Sequence, residues 1–146
     1  MTQQAYIVDD DEAIRDSLSW LLQSRGVPSL TYASAEAFLD VWNPTLTGCI
    51  LLDIRMEEMS GTELFDRLLE RGCSLPVIFL TGHGDVPMAV SSLKNGAFDF
   101  VEKPCNDNEL VDRVIEALKQ DEARRMAAAS ADSNSGPKPE IRKQME

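Results

Sequence analysis

"GCILLD", residues 48–53, decides the fold. Cys49, Ile50, Leu51 and Leu52 are apolar in succession, between a glycine and an aspartate. A strand with one wet face alternates apolar and polar residues. A run that is apolar at every position suits a strand covered on both sides. Four more short runs rich in apolar and β-branched residues read as strands, "AYIVD" (5–9), "SLTYA" (29–33), "PVIFL" (76–80) and "DFVEK" (99–103), and "VIFL" within them is likewise apolar at successive positions.

Helical spacing fills the gaps between these runs. Ile14, Leu18, Leu21 and Leu22 lie on one face of a first helix. Ala35, Phe38 and Leu39 mark a second, with Ser34 as its N-cap. Leu64, Leu68 and Leu69 mark a third, entered through "SGTE" (60–63). Met88, Val90 and Leu93 mark a fourth, ending where Gly96 can take the left-handed conformation. Leu110, Val111, Val114, Ile115 and Leu118 give a longer fifth. Strand–helix alternation repeated five times predicts an α/β fold, a parallel sheet with helices on both faces. A flavodoxin-like (βα)5 arrangement, doubly wound with strand order 2-1-3-4-5, is the natural candidate. The alternation sets the class, and the order rests mainly on the resemblance given below.

The chain has 146 residues, 43% of them hydrophobic and 27% charged, within the ordinary range for a globular protein. No apolar stretch approaches the roughly 20 residues of a membrane-spanning helix. The N-terminus lacks the basic and apolar regions of a signal peptide, so a cytoplasmic location is expected, without membrane association. The net charge of −11 repels nucleic-acid phosphates, so these residues are not expected to bind DNA by themselves. Cys49, Cys73 and Cys105 have neither disulfide-framework nor zinc spacing and receive no chemistry.

In open α/β sheets the functional groups gather at the carboxyl ends of the strands. That rule selects Asp9 and Asp10 after the first strand, Asp53 after the third, Thr81 after the fourth and Lys103 after the fifth. Each alone is as readily a turn former or a helix cap. Together they are more specific. Carboxylates brought together from two strands need a proton or a cation among them. A hard divalent cation such as Mg²⁺, which takes oxygen ligands, suits Asp10 and Asp53, with Asp9 acting directly or through water. Beside such a cation, Lys103 and Thr81 can neutralise and hydrogen-bond a phosphoryl group, and Asp53 is the best-placed nucleophile.

These residues lie in "VDDD" (8–11), "LLDIRMEEMSG" (51–61), "LTGHGD" (80–85) and "VEKP" (101–104). In them the chain, from residue 5 to about 120, resembles the receiver domain of two-component response regulators, the CheY-like fold. "SAEAFL" (34–39) and "TGHGDVPMAVSSLKNGAFDFVEKP" (81–104) are most similar to the FixJ-type members. The resemblance implies that Asp53 is the phosphoacceptor, Asp10 a direct Mg²⁺ ligand and Asp9 a ligand mainly through water. It implies that the Arg55 backbone carbonyl completes the metal set, with Mn²⁺ as an alternative ion. It makes Thr81 the switch hydroxyl, Lys103 the phosphate-binding lysine and Phe100 the aromatic switch residue. Pro104 follows Lys103 as in the family, commonly through a cis bond. Two positions depart from the pattern. Glu57 stands where a proline is usual, which predicts altered phosphorylation or dephosphorylation rates. Cys105 stands where a phenylalanine is common, on a partner-facing position.

The resemblance implies a switch rather than an enzyme, with an autophosphatase activity left open. A sensor histidine kinase would phosphorylate Asp53, the surface of the fourth helix and fifth strand would change, and the domain would dimerise. Residues 1–122 are expected to form the receiver. Residues 123–146 are expected to form a helical extension and flexible linker toward a transcriptional output domain outside this chain, through which alone DNA would be bound. The alternatives are a stand-alone or degenerate receiver acting only by protein contacts, and a metal-dependent phosphohydrolase. The last usually needs an acid close after its nucleophile, where this chain has Arg55. Among lesser features, His83 reads as a plain loop residue rather than a phosphohistidine. "EARR" (122–125) reads as a solvated helix face, and Trp20 and Trp42 read as packing residues.

Overall fold

The computed structural model describes residues 3–82, 84–104 and 106–134. His83, Cys105 and residues 135–146 of the extension and linker expected over 123–146 lie outside the described residues. Five strands and five helices alternate: β1 (Gln4–Val8), α1 (Glu12–Ser24), β2 (Ser29–Tyr32), α2 (Ala35–Val41), β3 (Gly48–Asp53), α3 (Gly61–Glu70), β4 (Val77–Thr81), α4 (Val86–Lys94), β5 (Asp99–Glu102) and α5 (Asp107–Asn134). The strands form one sheet in the order 2-1-3-4-5, with the described pairings all parallel. This is the flavodoxin-like arrangement expected from the sequence.

β3 is buried at all six positions, as its unbroken apolar run predicts. Its side chains alternate between two cores. Ile50 and Leu52 join Tyr6, Val8 and Phe79 beneath α2, α3 and α4. Cys49 and Leu51 join Ala5, Ile7, Ile78 and Leu80 beneath α1 and α5. Burial of each large side chain contributes roughly 1.5–3 kcal/mol, so this central strand carries much of the stability.

Helix starts follow local side-chain chemistry. Ser34 caps α2 by accepting from the Ala37 N–H at 3.0 Å, and Ser60 caps α3 by accepting from the Glu63 N–H at 3.2 Å. Asp11 caps α1, accepting from the N–H groups of Ala13 and Ile14. α4 is rotated from its sequence expectation. Met88 and Val90 are each 40% exposed, while Ala89 and Ser92 are buried against the sheet. Leu69 is also exposed on α3, where Phe65 is buried instead. Trp20, expected to pack, is 73% exposed on α1, whereas Trp42 is half-buried at the end of α2.

α5 continues unbroken for 28 residues. Its apolar face ends at Leu118, and a buried carboxylate follows. Asp121 Oδ2 accepts from the Gly48 N–H at 3.0 Å, Gln3 Nε2 at 3.2 Å and Arg125 Nε at 2.8 Å. Asp121 Oδ1 accepts from Arg124 Nη2 at 2.7 Å. Arg125 also donates to the Leu46 carbonyl. The two arginines are therefore folded back onto the body of the domain, and "EARR" is not simply a solvated face. Gly48 makes this closure possible. It has φ +128°, and a Cβ there would lie 1.8 Å from the Gln4 carbonyl oxygen.

Candidate functional site

The amino ends of the helices and the carboxyl ends of the strands meet at the opposite edge of the sheet. β1 ends in Asp9, fully buried, and Asp10, exposed. β3 ends in Asp53, which is 7% exposed. These three carboxylates offer oxygens that all lie within 4.8 Å of one another. The β5–α5 loop brings Lys103 among them, and the Lys103–Pro104 bond is cis. Lys103 Nζ donates to Asp9 Oδ2 and to Asp53 Oδ1, each at 3.2 Å.

Burial is the largest influence on Asp53 and pushes its carboxyl up. Asp9 adds to this, Lys103 partly opposes it, Asp10 adds a little, and the result is a pKa of about 6. Burial works against the charge of Lys103, but the Asp53 and Asp9 carboxylates outweigh it, and its pKa is raised. The pocket therefore holds more negative charge than one ammonium can balance. Its all-oxygen donor set fits a hard divalent cation, with Asp9, Asp10 and Asp53 as the carboxylates that would hold it.

Backbone and neighbouring side chains fix these acids. Arg15 of α1 donates from Nη1 to the Asp9 carbonyl at 2.7 Å, and the Asp11 N–H donates to Asp9 Oδ1 at 2.9 Å. The run of aspartates thus divides its labour: Asp9 and Asp10 turn into the pocket, and Asp11 caps the helix. The Glu57 N–H donates to Asp10 Oδ2 at 3.2 Å, a bond that a proline at this position could not make. Glu58 follows in the left-handed region with φ 64°. Asp10, Glu36, Glu57 and Glu58 line an acidic cleft beside the pocket. Gly61, the first residue of α3, donates its N–H to the Ile54 carbonyl at 2.8 Å. A Cβ there would meet the Asp53 carbonyl oxygen at 2.1 Å, so α3 sits directly on the backbone of Asp53.

Thr81 is fully buried at the end of β4, and its hydroxyl donates to the Gly82 carbonyl at 3.1 Å. Among the described residues that hydroxyl makes no hydrogen bond to the three carboxylates, although the Thr81 carbonyl accepts from the Lys103 N–H at 2.8 Å. Phe100 is half-buried against the core under α2–α4. The Arg55 side chain leaves the pocket and pairs with Asp85, 30 residues further along. Of the residues that the strand-end rule selects from the sequence, the fold brings Asp9, Asp10, Asp53 and Lys103 together. Sequence reasoning assigned nothing to Arg15, Gly61 or Asp85. Asp85 carried one usable signal, its place just before a Val-Pro helix start.

The chain matches the family described as the response regulator receiver domain over residues 5–115. It is 52% identical over 133 residues to the C4-dicarboxylate transport transcriptional regulatory protein DctR of Rhodobacter capsulatus, covering 90% of this chain and 67% of that one. It is 47% identical over 113 residues to the transcriptional regulatory protein FixJ of Azorhizobium caulinodans, covering 77% of this chain and 54% of that one. The chain thus spans between about half and two-thirds of the length of these curated relatives. Among solved structures, response regulator StyR superposes with a TM-score of 0.86 at 37% identity, covering 91% of this chain and 67% of that one. The crystal structure of FixJ-N superposes with a TM-score of 0.75 at 41% identity, covering 82% of this chain and 95% of that one. On its motifs, its strand order and these likenesses together, the chain belongs to the response regulator receiver family, in its FixJ-type branch.

Proposed function

We propose that this chain is a phosphorylation switch in which Asp53 accepts a phosphoryl group from a sensor histidine kinase. The observation that carries this reading is the buried Asp53 carboxyl, flanked by Asp9 and Asp10 and bonded to Lys103. An Asp53 oxygen attacks phosphorus as the P–N bond of a donor phosphohistidine breaks. The electron pair goes to the leaving imidazole, which takes up a proton. Lys103 sits within hydrogen-bond reach of the acceptor and neutralises phosphoryl oxygens. Mg²⁺ or Mn²⁺, held by Asp10, Asp53, the Arg55 carbonyl and Asp9, would supply further positive charge to the transferring group. Thr81 then turns its hydroxyl from Gly82 to the new group, and Phe100 moves with it. The added charge, close to −2, reorganises the α4–β5 face. That face then pairs with a second copy and controls a transcriptional output domain. Relatives named as transcriptional regulatory proteins and longer than this chain support the last step. Among the described residues no helix is long and apolar enough to cross a membrane.

The phosphohydrolase alternative loses support from Arg55. No acid stands at that position, and its guanidinium is committed to Asp85. Intact mass spectrometry after incubation with acetyl phosphate tests the switch. A single phosphoryl adduct is expected with Mg²⁺, and none with a chelator or in Asp53→Asn. An adduct that survives in the variant refutes the choice of Asp53. No adduct, together with no binding of beryllofluoride, refutes the switch itself.

A further inference from the structure

Two loops flank the pocket: the turn from β3 to α3 and the loop from β4 to α4. Asp85 occupies the N-cap position of α4, where a carboxylate ordinarily accepts from the N–H groups of the first turn. It makes no such bond. Both of its oxygens go to Arg55 instead. Arg55 Nε lies 2.9 Å from Oδ1 and 2.8 Å from Oδ2, and Nη2 lies 2.8 Å from Oδ1. The Asp85 side chain is 6% exposed and the Arg55 side chain 76%. A buried carboxylate without a partner is costly, so the burial of Asp85 depends on this fork.

Asp85 has a second use within reach of its own backbone. Pro87, at the second helical position, has no N–H, but Met88 at the third does. A carboxylate freed from Arg55 can cap α4 there, still at the positive end of the helix. Arg55, for its part, is two residues beyond Asp53. Its turn is tied to the site by the Ile54 N–H on the Leu80 carbonyl at 3.2 Å and the Glu57 N–H on Asp10. Movement of the turn and capping of α4 therefore draw on one carboxylate.

We propose that Asp85 is a positioning residue for the phosphoacceptor pocket. Through Arg55 it fixes the turn that follows Asp53, so that loading of the pocket and the state of the α4 N-terminus are coupled. This rests on the phosphoacceptor reading, which places the Arg55 carbonyl at the metal. Coupling of this kind is reciprocal. A cation drawn into the pocket shifts α4, and loss of the fork weakens the cation.

Isothermal titration of the full chain with Mg²⁺ alone tests the coupling, in wild type, Arg55→Ala, Asp85→Asn and the double variant. Each single change is expected to weaken Mg²⁺ by about tenfold, the low end of effects for groups that orient metal ligands. The double variant is expected to be no weaker than either single one, because both changes break the same link. Amide signals of α4, Met88 above all, are expected to shift on Mg²⁺ addition in wild type and much less in the variants. Asp85→Asn with wild-type affinity, or single effects that multiply in the double variant, overturns the coupling alone. Wild type that binds neither Mg²⁺ nor beryllofluoride overturns the pocket reading and the coupling with it. Arg55→Ala changes an exposed side chain, so it keeps the test decisive even if Asp85→Asn folds poorly.

Discussion

Replacing the proposed acceptor with its neutral isostere is expected to make the fold more stable, not less. Asp53 is 7% exposed and lies among two further carboxylates with one lysine for company. Folding moves its pKa from 3.8 to about 6, with burial as the first cause and Asp9 as the second. At about 1.4 kcal/mol per tenfold change in acidity, ionised Asp53 costs the folded state ~3 kcal/mol. Lys103 is among the groups that already lower the value to about 6, so its bond to the ionised carboxylate is included in that figure, and the neutral Asn side chain escapes the whole of the cost. The net expectation is that Asp53→Asn is about 2–3 kcal/mol more stable at pH 7.5 in the presence of chelator. The sign follows from the direction of the shift. A folded-state pKa raised above the unfolded one contributes stability that is complete below about pH 4 and lost as pH rises through about 6. The difference between variant and wild type should therefore open between pH 4 and 7 and close at acidic pH. Urea unfolding of both proteins across that range measures it. A variant that is less stable at pH 7.5, or a difference independent of pH, would refute the electrostatic account of the pocket.

Two further perturbations test the scaffold. Asp121→Asn breaks a buried ion cluster and is expected to cost about 3 kcal/mol at neutral pH, read by urea unfolding. Burial opposes the Asp121 charge, but bonds from Arg125, the Gly48 N–H and Arg124 overcome it and lower its pKa. The stability it confers is thus present above the usual carboxyl range and lost only as pH falls through the lowered value. The deficit of the variant should persist at pH 5. Gly61→Ala forces a methyl group against the Asp53 carbonyl, where only 2.1 Å is free. It is expected to cost about 2 kcal/mol and to reduce the phosphoryl adduct seen by mass spectrometry, unlike a substitution on the exposed face of α3.

β3 and β4 were legible because burial on both faces writes itself into a strand as consecutive apolar residues, whereas β2 and β5, largely exposed or half-buried, were read from their place in the alternation. β3 needed no partner to be recognised. The site acids were legible for a related reason: a parallel sheet delivers its strand ends to one edge, so Asp9, Asp53 and Lys103 could be placed together before any distance was known. What failed was the phase of α4. Met88 and Val90 weigh more on any apolar scale than Ala89 and Ser92, yet the small residues approach the sheet. Trp20 failed in the same way, since size predicts burial only when a partner surface exists. Asp121 and Asp85 were out of reach for another reason. Their partners, Gly48 and Arg55, lie 73 and 30 residues away, and a buried carboxylate has no local signature.

α5 gives the domain a shaft. Asp121 clamps it to the first residue of β3, and thirteen more residues carry the helix on to Asn134. At about 1.5 Å per residue that is a projection of ~20 Å beyond the clamp. A helix holds its angular phase along its length, turning by about 100° with each residue. The direction in which the chain leaves the domain at Asn134 is thus set at the clamp. One carboxylate at the amino edge of the sheet aims everything that follows it.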